Sequence, residues 1–413
     1  MRGGVLVLPG GERRADLLVD GGRIARVVDA GDGASDDELD ARGLVVLPGA
    51  VDAHVHFNEP GRAEWEGWER GTRGAAAGGV TTVCDMPLNS IPPTTTVAAL
   101  DAKRAAAERA AHVDFALWGG LVPGADVGGV LARGAVGSKA FLCDSGVPEF
   151  PPVAADDVAR APGLVAVHAE DPSALVERAL TWERARPPEA EVRAVASLAR
   201  AGARAHVVHV SAAAALDALG PGMTAETCPH YLTFTSEDVE RAGPVLKCAP
   251  PIRSAAERER LWAAVLTGRV LLIASDHSPA AADRKRGSMW EAWGGIAGVQ
   301  SLLPALLTEG VARRGLPLAR LADLVATAPA RLLGLRAKGS IAPGMDADLA
   351  LVDTSREWTL DAASLETRSG LSPYVGRTFT GAVVATVVRG RVVYRDGAFP
   401  AGIGYGRFVA RYS

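Results

Sequence analysis

Hydrophobic and polar residues alternate at both ends of the chain, in short stretches separated by turn residues. Residues 5–8, 16–19 and 23–28 have this pattern, and Asp20-Gly21-Gly22 lies between the last two. Residues 347–352 and 382–388 repeat it, and Arg389-Gly390 follows as a candidate hairpin turn. A period of two between such turns predicts small antiparallel strands at both termini.

The middle of the chain alternates short apolar segments with longer stretches rich in alanine, leucine and arginine. Eight apolar segments predict strands, at 44–57, 81–86, 113–121, 136–143, 164–169, 205–211, 223–232 and 270–278. Intervening segments such as 172–201 and 254–268 are long enough for crossover helices. Eight successive strand–helix units predict an α/β fold, a (β/α)8 TIM barrel, whose chemistry lies at the carboxyl ends of its strands.

These two patterns divide the chain into a central and a terminal domain. We predict a TIM-barrel catalytic domain over residues 50–344. Residues 1–49 and 345–413, the second including a C-terminal tail, are predicted to form one small β-sandwich assembled from both termini. The length of 413 residues exceeds a single core of average size, which agrees with a barrel plus an appendage.

Composition and charge argue against several kinds of partner. The formal net charge of -4 offers no basic surface for nucleic acid. No apolar run reaches the ~20 residues that a membrane span requires. The four cysteines are widely spaced and lack CxxC pairing, which indicates buried thiols in a reducing compartment. We therefore expect a cytoplasmic protein with neither a nucleic-acid partner nor a membrane segment.

The predicted strand ends concentrate possible metal ligands. His54 and His56 alternate along the first strand, so both imidazoles point to one side, although such a pair alone also fits two structural histidines. His168, His209 and Asp276 stand at the ends of the fifth, sixth and eighth predicted strands. Because these ends meet at one face of a barrel, the five side chains together predict a metal site.

A lysine lies inside the fourth predicted strand of the same barrel. A buried ammonium at Lys139 would be repelled by divalent cations, whereas a neutral amine can react with carbon dioxide. The resulting carbamate is an anion with two oxygens, which suits a bridge between two metals. From its strand position alone, Lys139 fits equally a lysine that reaches the surface or pairs with an acid; the neighbouring metal ligands favour carbamylation.

Together these residues predict a binuclear centre, with two metals roughly 3.5–4 Å apart that share a hydroxide. The hydroxide is expected to attack an amide carbonyl. Asp276 would then act first as general base and afterwards as general acid toward the leaving nitrogen. Mixed nitrogen and oxygen ligands suit zinc, and cobalt, manganese and iron also fit.

These motifs resemble those of the cyclic amidohydrolases, a group of the amidohydrolase superfamily that includes allantoinases, dihydroorotases and hydantoinases. The resemblance covers nearly the whole chain and implies that all six metal-binding positions of the family are present. They are His54, His56, carbamylated Lys139, His168, His209 and Asp276, the last being also the catalytic residue. Members that lack these ligands serve as binding or scaffold proteins, so the resemblance disfavours that role.

Flanking segments are most similar to those of allantoinases, which implies allantoin as a small-molecule substrate and allantoate as the product. These segments are 57–67, 85–90, 247–253, 292–296 and 372–377. Dihydroorotases carry an arginine at the position of Asn58, and hydantoinases carry a tyrosine at the position of Asp144. An amide at Asn58 can bond a neutral ring but cannot neutralise a carboxylate. Dihydroorotase or another cyclic-amide hydrolase is the alternative, and the family resemblance also implies a homotetramer.

Four polar residues just beyond strand ends are candidates for substrate contact: Asn58, Asn89, Ser145 and Ser278. Each also fits a capping or turn residue. The polar loop 280–290 is a candidate lid over the site. Asp52 is expected to support the first histidine pair, and Glu170 either to orient His168 or to cap the following helix.

Overall fold

The secondary structure changes character twice along the chain, from antiparallel strands to alternating strands and helices and back. The computed structural model describes residues 1–32 and 37–412. The strands are β1 Gly4–Leu8, β2 Gly11–Asp20, β3 Arg23–Asp29, β4 Val45–Pro48, β5 Ala50–Val55, β6 Val80–Asp85, β7 Asp114–Leu117, β8 Gly119–Gly120, β9 Ser138–Phe141, β10 Val165–His168, β11 Ala205–Val207, β12 Thr224–Thr227, β13 Leu272–Ile273, β14 Leu349–Thr359, β15 Thr378–Val388 and β16 Arg391–Arg395.

Helices occupy most of the connections between the central strands. They are α1 Trp68–Ala77, α2 Val97–Ala110, α3 Val127–Ala132, α4 Ala155–Arg160, α5 Trp182–Ala185, α6 Pro188–Arg200, α7 Pro229–Thr233, α8 Ser236–Ala242, α9 Ala255–Leu266, α10 Leu302–Leu306, α11 Leu318–Ala322 and α12 Ala328–Leu333. Short 3-10 and π segments link or extend several of them. Within the two described ranges, no helix has both the length and the apolar character that crossing a bilayer demands.

Strands from both ends of the chain share one seven-stranded sheet, in the order β16-β15-β14-β4-β1-β2-β3. β1 pairs antiparallel with β2 and parallel with β4, and β4 pairs antiparallel with β14. Leu6, Leu17, Val46 and Leu351 belong to the buried cluster of this sheet. The predicted strands of the two termini therefore meet, while the sandwich form and the domain boundaries stay predictions.

The hairpin between β15 and β16 has the predicted turn. Val388 pairs with Arg391 across a two-residue loop. Arg389 has a φ of 46° and Gly390 a φ of 75°. Positive φ at both central residues is the geometry whose twist matches antiparallel strands, and glycine adopts it without steric cost. The turn at Arg389-Gly390 is confirmed.

The central segment forms two parallel sheets with helices in the connections, a mixed α/β fold as predicted. β5, β6 and β7 form a three-stranded sheet, and β8 to β13 form a six-stranded sheet. Every residue of β5, β6, β9 and β10 is buried. Strands buried on both faces are typical of parallel sheets covered by helices. In the register of β9 and β10, Ala166 lies opposite Lys139.

The limits of most predicted strands differ from those in the structure, and three of them show the reasons. The segment 44–57 divides into β4, which belongs to the terminal sheet, and β5, which belongs to a parallel sheet. The segment 223–232 is a strand only to Thr227, because Pro229 suits the first turn of a helix and begins α7. In 270–278 only the two residues of β13 are strand, and the chain continues to Asp276 as an irregular segment.

A buried ionic cluster connects the parallel strands to the terminal sheet. The Lys338 Nζ donates to Asp114 at 2.6 Å and to Asp348 at 2.7 Å, and it lies 3.0 Å from Asp346. Asp114 begins β7, whereas Asp348 immediately precedes β14. Burial opposes the charge of Lys338, but the carboxylates outweigh this effect and raise its pKa. Arg389 supplies a second cation to Asp114.

We expect Lys338→Met to lower the free energy of unfolding by about 3–5 kcal/mol, because buried carboxylates would lose their shared cation. Arg133→Met is the control, since it removes an exposed pair with Asp101 and should leave the free energy of unfolding nearly unchanged, because surface ion pairs contribute little. Chemical denaturation followed by tryptophan fluorescence measures both values. Equally small losses in the two variants would contradict a stabilising role for the cluster.

Candidate metal centre

The six side chains predicted to bind metal line a single cavity of about 1130 Å³. They are His54, His56, Lys139, His168, His209 and Asp276, and all six are buried. Each lies within or just beyond a parallel strand, at β5, β9, β10, β11 and β13. Parallel strands that end at one edge bring residues distant in sequence together, which is how these side chains meet.

One half of the cluster consists of the histidine pair and the aspartate. The Nε2 atoms of His54 and His56 lie 3.3 and 3.5 Å from the same oxygen, Oδ1 of Asp276. The two imidazole centroids are 5.3 Å apart. Each of the three residues offers one ligand atom, and these atoms lie within 4.8 Å of one another. Two nitrogens and a carboxylate oxygen at this spacing can bind one divalent cation.

The other half consists of two histidines and the lysine. The ring of His209 lies 4.6 Å from that of His168 and 5.5 Å from that of His54, between centroids. Phe141 stacks on His168 at 4.5 Å, and its ring lies 5.3 Å from Nζ of Lys139. Lys139 is 1% exposed. The lysine therefore points into the protein, as the sequence predicted, and the surface alternative is wrong.

Several polar atoms of the cluster have no hydrogen-bond partner in the described residues. They are Nδ1 of His56, Nδ1 of His209 and Nζ of Lys139. A buried polar atom without a partner is costly and requires an explanation. The residues that carry these atoms line one cavity, and their donor set fits a pair of metal ions.

Burial shifts the pKa of these groups in the direction that metal binding requires. Burial, followed by the charge of Lys139, lowers the pKa of His54 well below its usual value. Burial also lowers the pKa of His168 and, more strongly, that of His209. For Lys139, burial lowers the pKa to about 8. Neutral imidazoles are ligands, and an amine with a lowered pKa is available as a nucleophile.

The backbone is strained at five residues in or beside the cavity. His209 has a φ of 42°, Asp276 of 45° and Arg178 of 55°, while Asn58 and Asn89 have values of 65° and 68°. Non-glycine residues in the left-handed region are uncommon and cluster at functional sites. His209 and Asp276 follow the ends of β11 and β13, and there this backbone conformation turns each side chain toward the cavity.

Carboxylates behind the cavity hold the candidate ligands. Oε2 of Glu170 lies 2.6 Å from Nε2 of His168, and Arg186 pairs with the same carboxylate at 2.5 Å. Glu170 thus orients His168, one of the two predicted alternatives. Asp52 accepts from the backbone amides of His54 and Ser275, at 3.3 and 3.0 Å. Asp52 therefore supports the first histidine strand, as predicted.

Two buried residues lie near the centre outside the predicted ligand set: Glu226, which the sequence did not single out, and His230, for which it indicated a supporting or structural role. Glu226 lies 2.7 Å from Nδ1 of His54. His230 is buried, and its Nε2 has no partner among the described residues. A lone acid within an otherwise apolar predicted strand was the available signal for Glu226. For His230 the signal was weak, because a buried histidine is often structural.

Three of the four residues predicted to contact substrate line the cavity, and the fourth does not. Asn89, Ser145 and Ser278 line the cavity. Asn58 lies behind the cavity wall, where its Nδ2 donates to the carbonyl of Pro279 at 3.1 Å and its Oδ1 has no partner in the described residues. The Ser145 hydroxyl lies within hydrogen-bonding distance of two carbonyl acceptors, those of Val147 and Phe150. Substrate contact by these four residues stays a prediction.

Aromatic residues form the mouth of the cavity. Trp182 and Trp290 meet edge to face with centroids 5.5 Å apart, and Trp290 is 42% exposed. Trp182 Nε1 donates to the carbonyl of Cys248 at 2.7 Å. The predicted lid loop 280–290 contributes Trp290 to this rim, and its movement stays a prediction.

Comparison with known sequences gives a consistent result. The sequence model of the family described as "Amidohydrolase family" matches residues 45–393. The protein named allantoinase from Rubrobacter xylanophilus is 48% identical, over 99% of this chain and 96% of its own length. The allantoinase from Solibacter usitatus is also 48% identical, over 95% of this chain and 93% of its own.

Comparison with solved structures also shows strong similarity. The L-hydantoinase (dihydropyrimidinase) from Arthrobacter aurescens has a TM-score of 0.92 at 34% identity, with 99% of each chain covered. The dihydropyrimidinase from Brevibacillus agri has a TM-score of 0.88 at 26% identity, covering 100% of this chain and 98% of its own. The matched family model, the relatives aligned over nearly their whole length and the shared fold show that the chain belongs to the amidohydrolase family.

Proposed function

We propose that this protein hydrolyses a ring amide of allantoin to give allantoate. The observation that carries the proposal is the convergence of four imidazoles, Lys139 and Asp276 on one cavity, with several lone pairs unpartnered in the described residues. Near-full-length relatives named allantoinase support this substrate among the cyclic amides. The six residues brought together in the cavity argue against an inactive scaffold.

The finer description of the fold is part of the proposal. We infer that the two parallel sheets close into a (β/α)8 barrel. β7 and β8 are separated only by Trp118, so the two sheets are continuous along the chain at this edge. At the other edge, a parallel bridge joins Val55, which ends β5, to His277. The high TM-scores to hydantoinases support the same closure.

Two divalent cations, with zinc as first choice, are proposed to be held by the six residues. His54, His56 and Asp276 would hold one, and His168 and His209 the other. Lys139 would bridge them after carbamylation, in which its neutral amine forms a bond to the carbon of carbon dioxide and releases a proton. Its burial and its lowered pKa support this modification.

The reaction divides between the cations and the side chains. When bound, the cations supply Lewis acidity that polarises the ring carbonyl and acidifies the attacking water. Asp276 accepts the proton of that water and then donates it to the ring nitrogen as the amide bond breaks. Its carboxylate lines the cavity, within reach of both partners. The indoles of Trp182 and Trp290 exclude bulk water at the mouth.

The cavity suits a neutral ring better than a carboxylate substrate. Asn58 replaces the arginine of dihydroorotases, although its own amide bonds Pro279 and lies outside the cavity lining. Of the basic residues that line the cavity, Arg186 is paired with Glu170 and Lys247 donates to the carbonyl of Ala292 at 2.6 Å. Arg178 also lines the cavity. A hydantoinase is the second candidate function, which the close structural match to the L-hydantoinase favours.

We also propose a cytoplasmic location and a homotetramer for this enzyme. The four cysteines are free and buried, which supports a reducing compartment. The tetramer rests on the family resemblance.

We expect the purified protein to hydrolyse allantoin with a kcat/KM at least about 100-fold above those for hydantoin and dihydroorotate, because its hydrogen-bonding groups match the ureido-bearing ring. Product formation by chromatography measures all three reactions. A preference for hydantoin would support the second candidate, and no turnover of allantoin would contradict the proposed substrate.

Lys139→Ala should lose metal and activity together. Loss of an outer partner of a metal ligand typically costs about 10–100-fold, so loss of the bridge itself should lower kcat by more than about 100-fold. A short carboxylic acid should restore part of both, since it can replace the carbamate. Lys247→Ala, on the cavity wall, is the control and should keep full metal content by elemental analysis. Full metal content in Lys139→Ala would contradict the bridging role.

A further inference from the structure

Glu226 lies directly behind the candidate metal centre, between two histidines. This residue is on β12 and is 1% exposed. Its Oε1 lies 2.7 Å from Nδ1 of His54, and its Oε2 lies 3.0 Å from Nε2 of His206. One carboxylate therefore joins a predicted metal ligand on β5 to a histidine on β11 that is outside the ligand set.

These contacts determine which nitrogen of His54 is available. An ionised carboxylate only accepts hydrogen bonds, so Nδ1 of His54 carries the proton and Nε2 presents its lone pair. Nε2 is the atom that lies 3.3 Å from Asp276, in the cavity. By the same reasoning, His206 donates from Nε2 to Glu226, and its Nδ1 accepts from the hydroxyl of Thr224 at 2.8 Å.

Glu226 differs from the other carboxylate behind the centre in its charge balance. Over residues 1–32 and 37–412, its ion-pair partners are His54 and His206, without an arginine or lysine. Glu170 instead has Arg186 in addition to His168. A buried carboxylate without a permanent cation is costly. Glu226 also interacts electrostatically with Lys139, and a metal ion on His54 would supply further positive charge one imidazole away.

We propose that Glu226 is a positioning residue that sets the affinity of the cation site formed by His54, His56 and Asp276. It acts by fixing the tautomer and orientation of His54 and by providing negative charge through the imidazole. The inference rests on the proposed function, because it requires a metal at His54. It also makes the two cation positions unequal, since Glu226 lacks the arginine that balances Glu170.

The test compares two buried glutamates that each contact a histidine. Glu226→Gln keeps the shape of the side chain and removes its charge. Glu66→Gln is the matched control, because Glu66 is fully buried and lies 3.3 Å from Nε2 of His277, which is not a predicted ligand. The full-length proteins are stripped of metal and titrated with Co²⁺ against a chelator, and the visible absorption of bound Co²⁺ is recorded.

We expect Glu226→Gln to weaken one of two Co²⁺ sites by about 10–100-fold and to alter its absorption bands. Glu66→Gln should keep both affinities within about threefold. Glu226→Asp, which retains the charge but is too short to reach both histidines, should also weaken that site. This variant provides the test if Glu226→Gln does not fold, as judged by the near-ultraviolet circular dichroism of the metal-free protein.

Unchanged Co²⁺ affinity in a folded Glu226 variant would overturn the proposal, as would an equal loss in Glu66→Gln. Other results would contradict the proposed function and can be told apart from a failure of the Glu226 proposal. Unaltered protein that binds two Co²⁺ ions but leaves allantoin intact would contradict the substrate and preserve the role of Glu226. Unaltered protein that binds no Co²⁺ would contradict both.

Discussion

The burial of lone pairs at the ends of parallel strands is the constraint on which the rest of this structure depends. His56, His209 and Lys139 line one cavity, and each has a buried nitrogen without a hydrogen-bond partner in the described residues. In an apolar interior such atoms are destabilising unless something binds them. Burial lowers the pKa of His209 and that of Lys139, the latter to about 8, which suits the proposed cations and carbamylation.

The structure around the cavity stabilises this unfavourable arrangement. Strained backbone at His209 and Asp276 persists because the flanking strands are fully packed. Glu170 and Glu226 hold His168 and His54 from behind, but only Glu170 has an arginine beside it. The proposed centre therefore depends on partners that contact no substrate, as metal sites in proteins commonly do.

The rim of the cavity connects the fold to substrate choice. Indole rings and charged residues, among them Arg178 and Glu291, line the cavity, while Arg186 and Lys247 are engaged by protein groups. The terminal sheet lies away from this chemistry, and the Lys338 cluster connects it to the parallel strands.

The sequence alone determined the order of the elements and the identity of the chemistry-bearing residues. Periodicity distinguished the terminal strands from the central strand–helix units, and histidines at strand ends pointed to the metal centre. It did not determine where a strand ends, because Pro229 and the irregular approach to Asp276 override apolar patterning.

Only the tertiary structure decided which side chains face the cavity and which support it. Glu226 meets His54 across 172 positions of sequence, and no local pattern encodes that contact. Asn58 follows a strand as the pattern required, yet its amide turns to Pro279. Residue type limits what a side chain can bind, whereas long-range packing decides what it does bind.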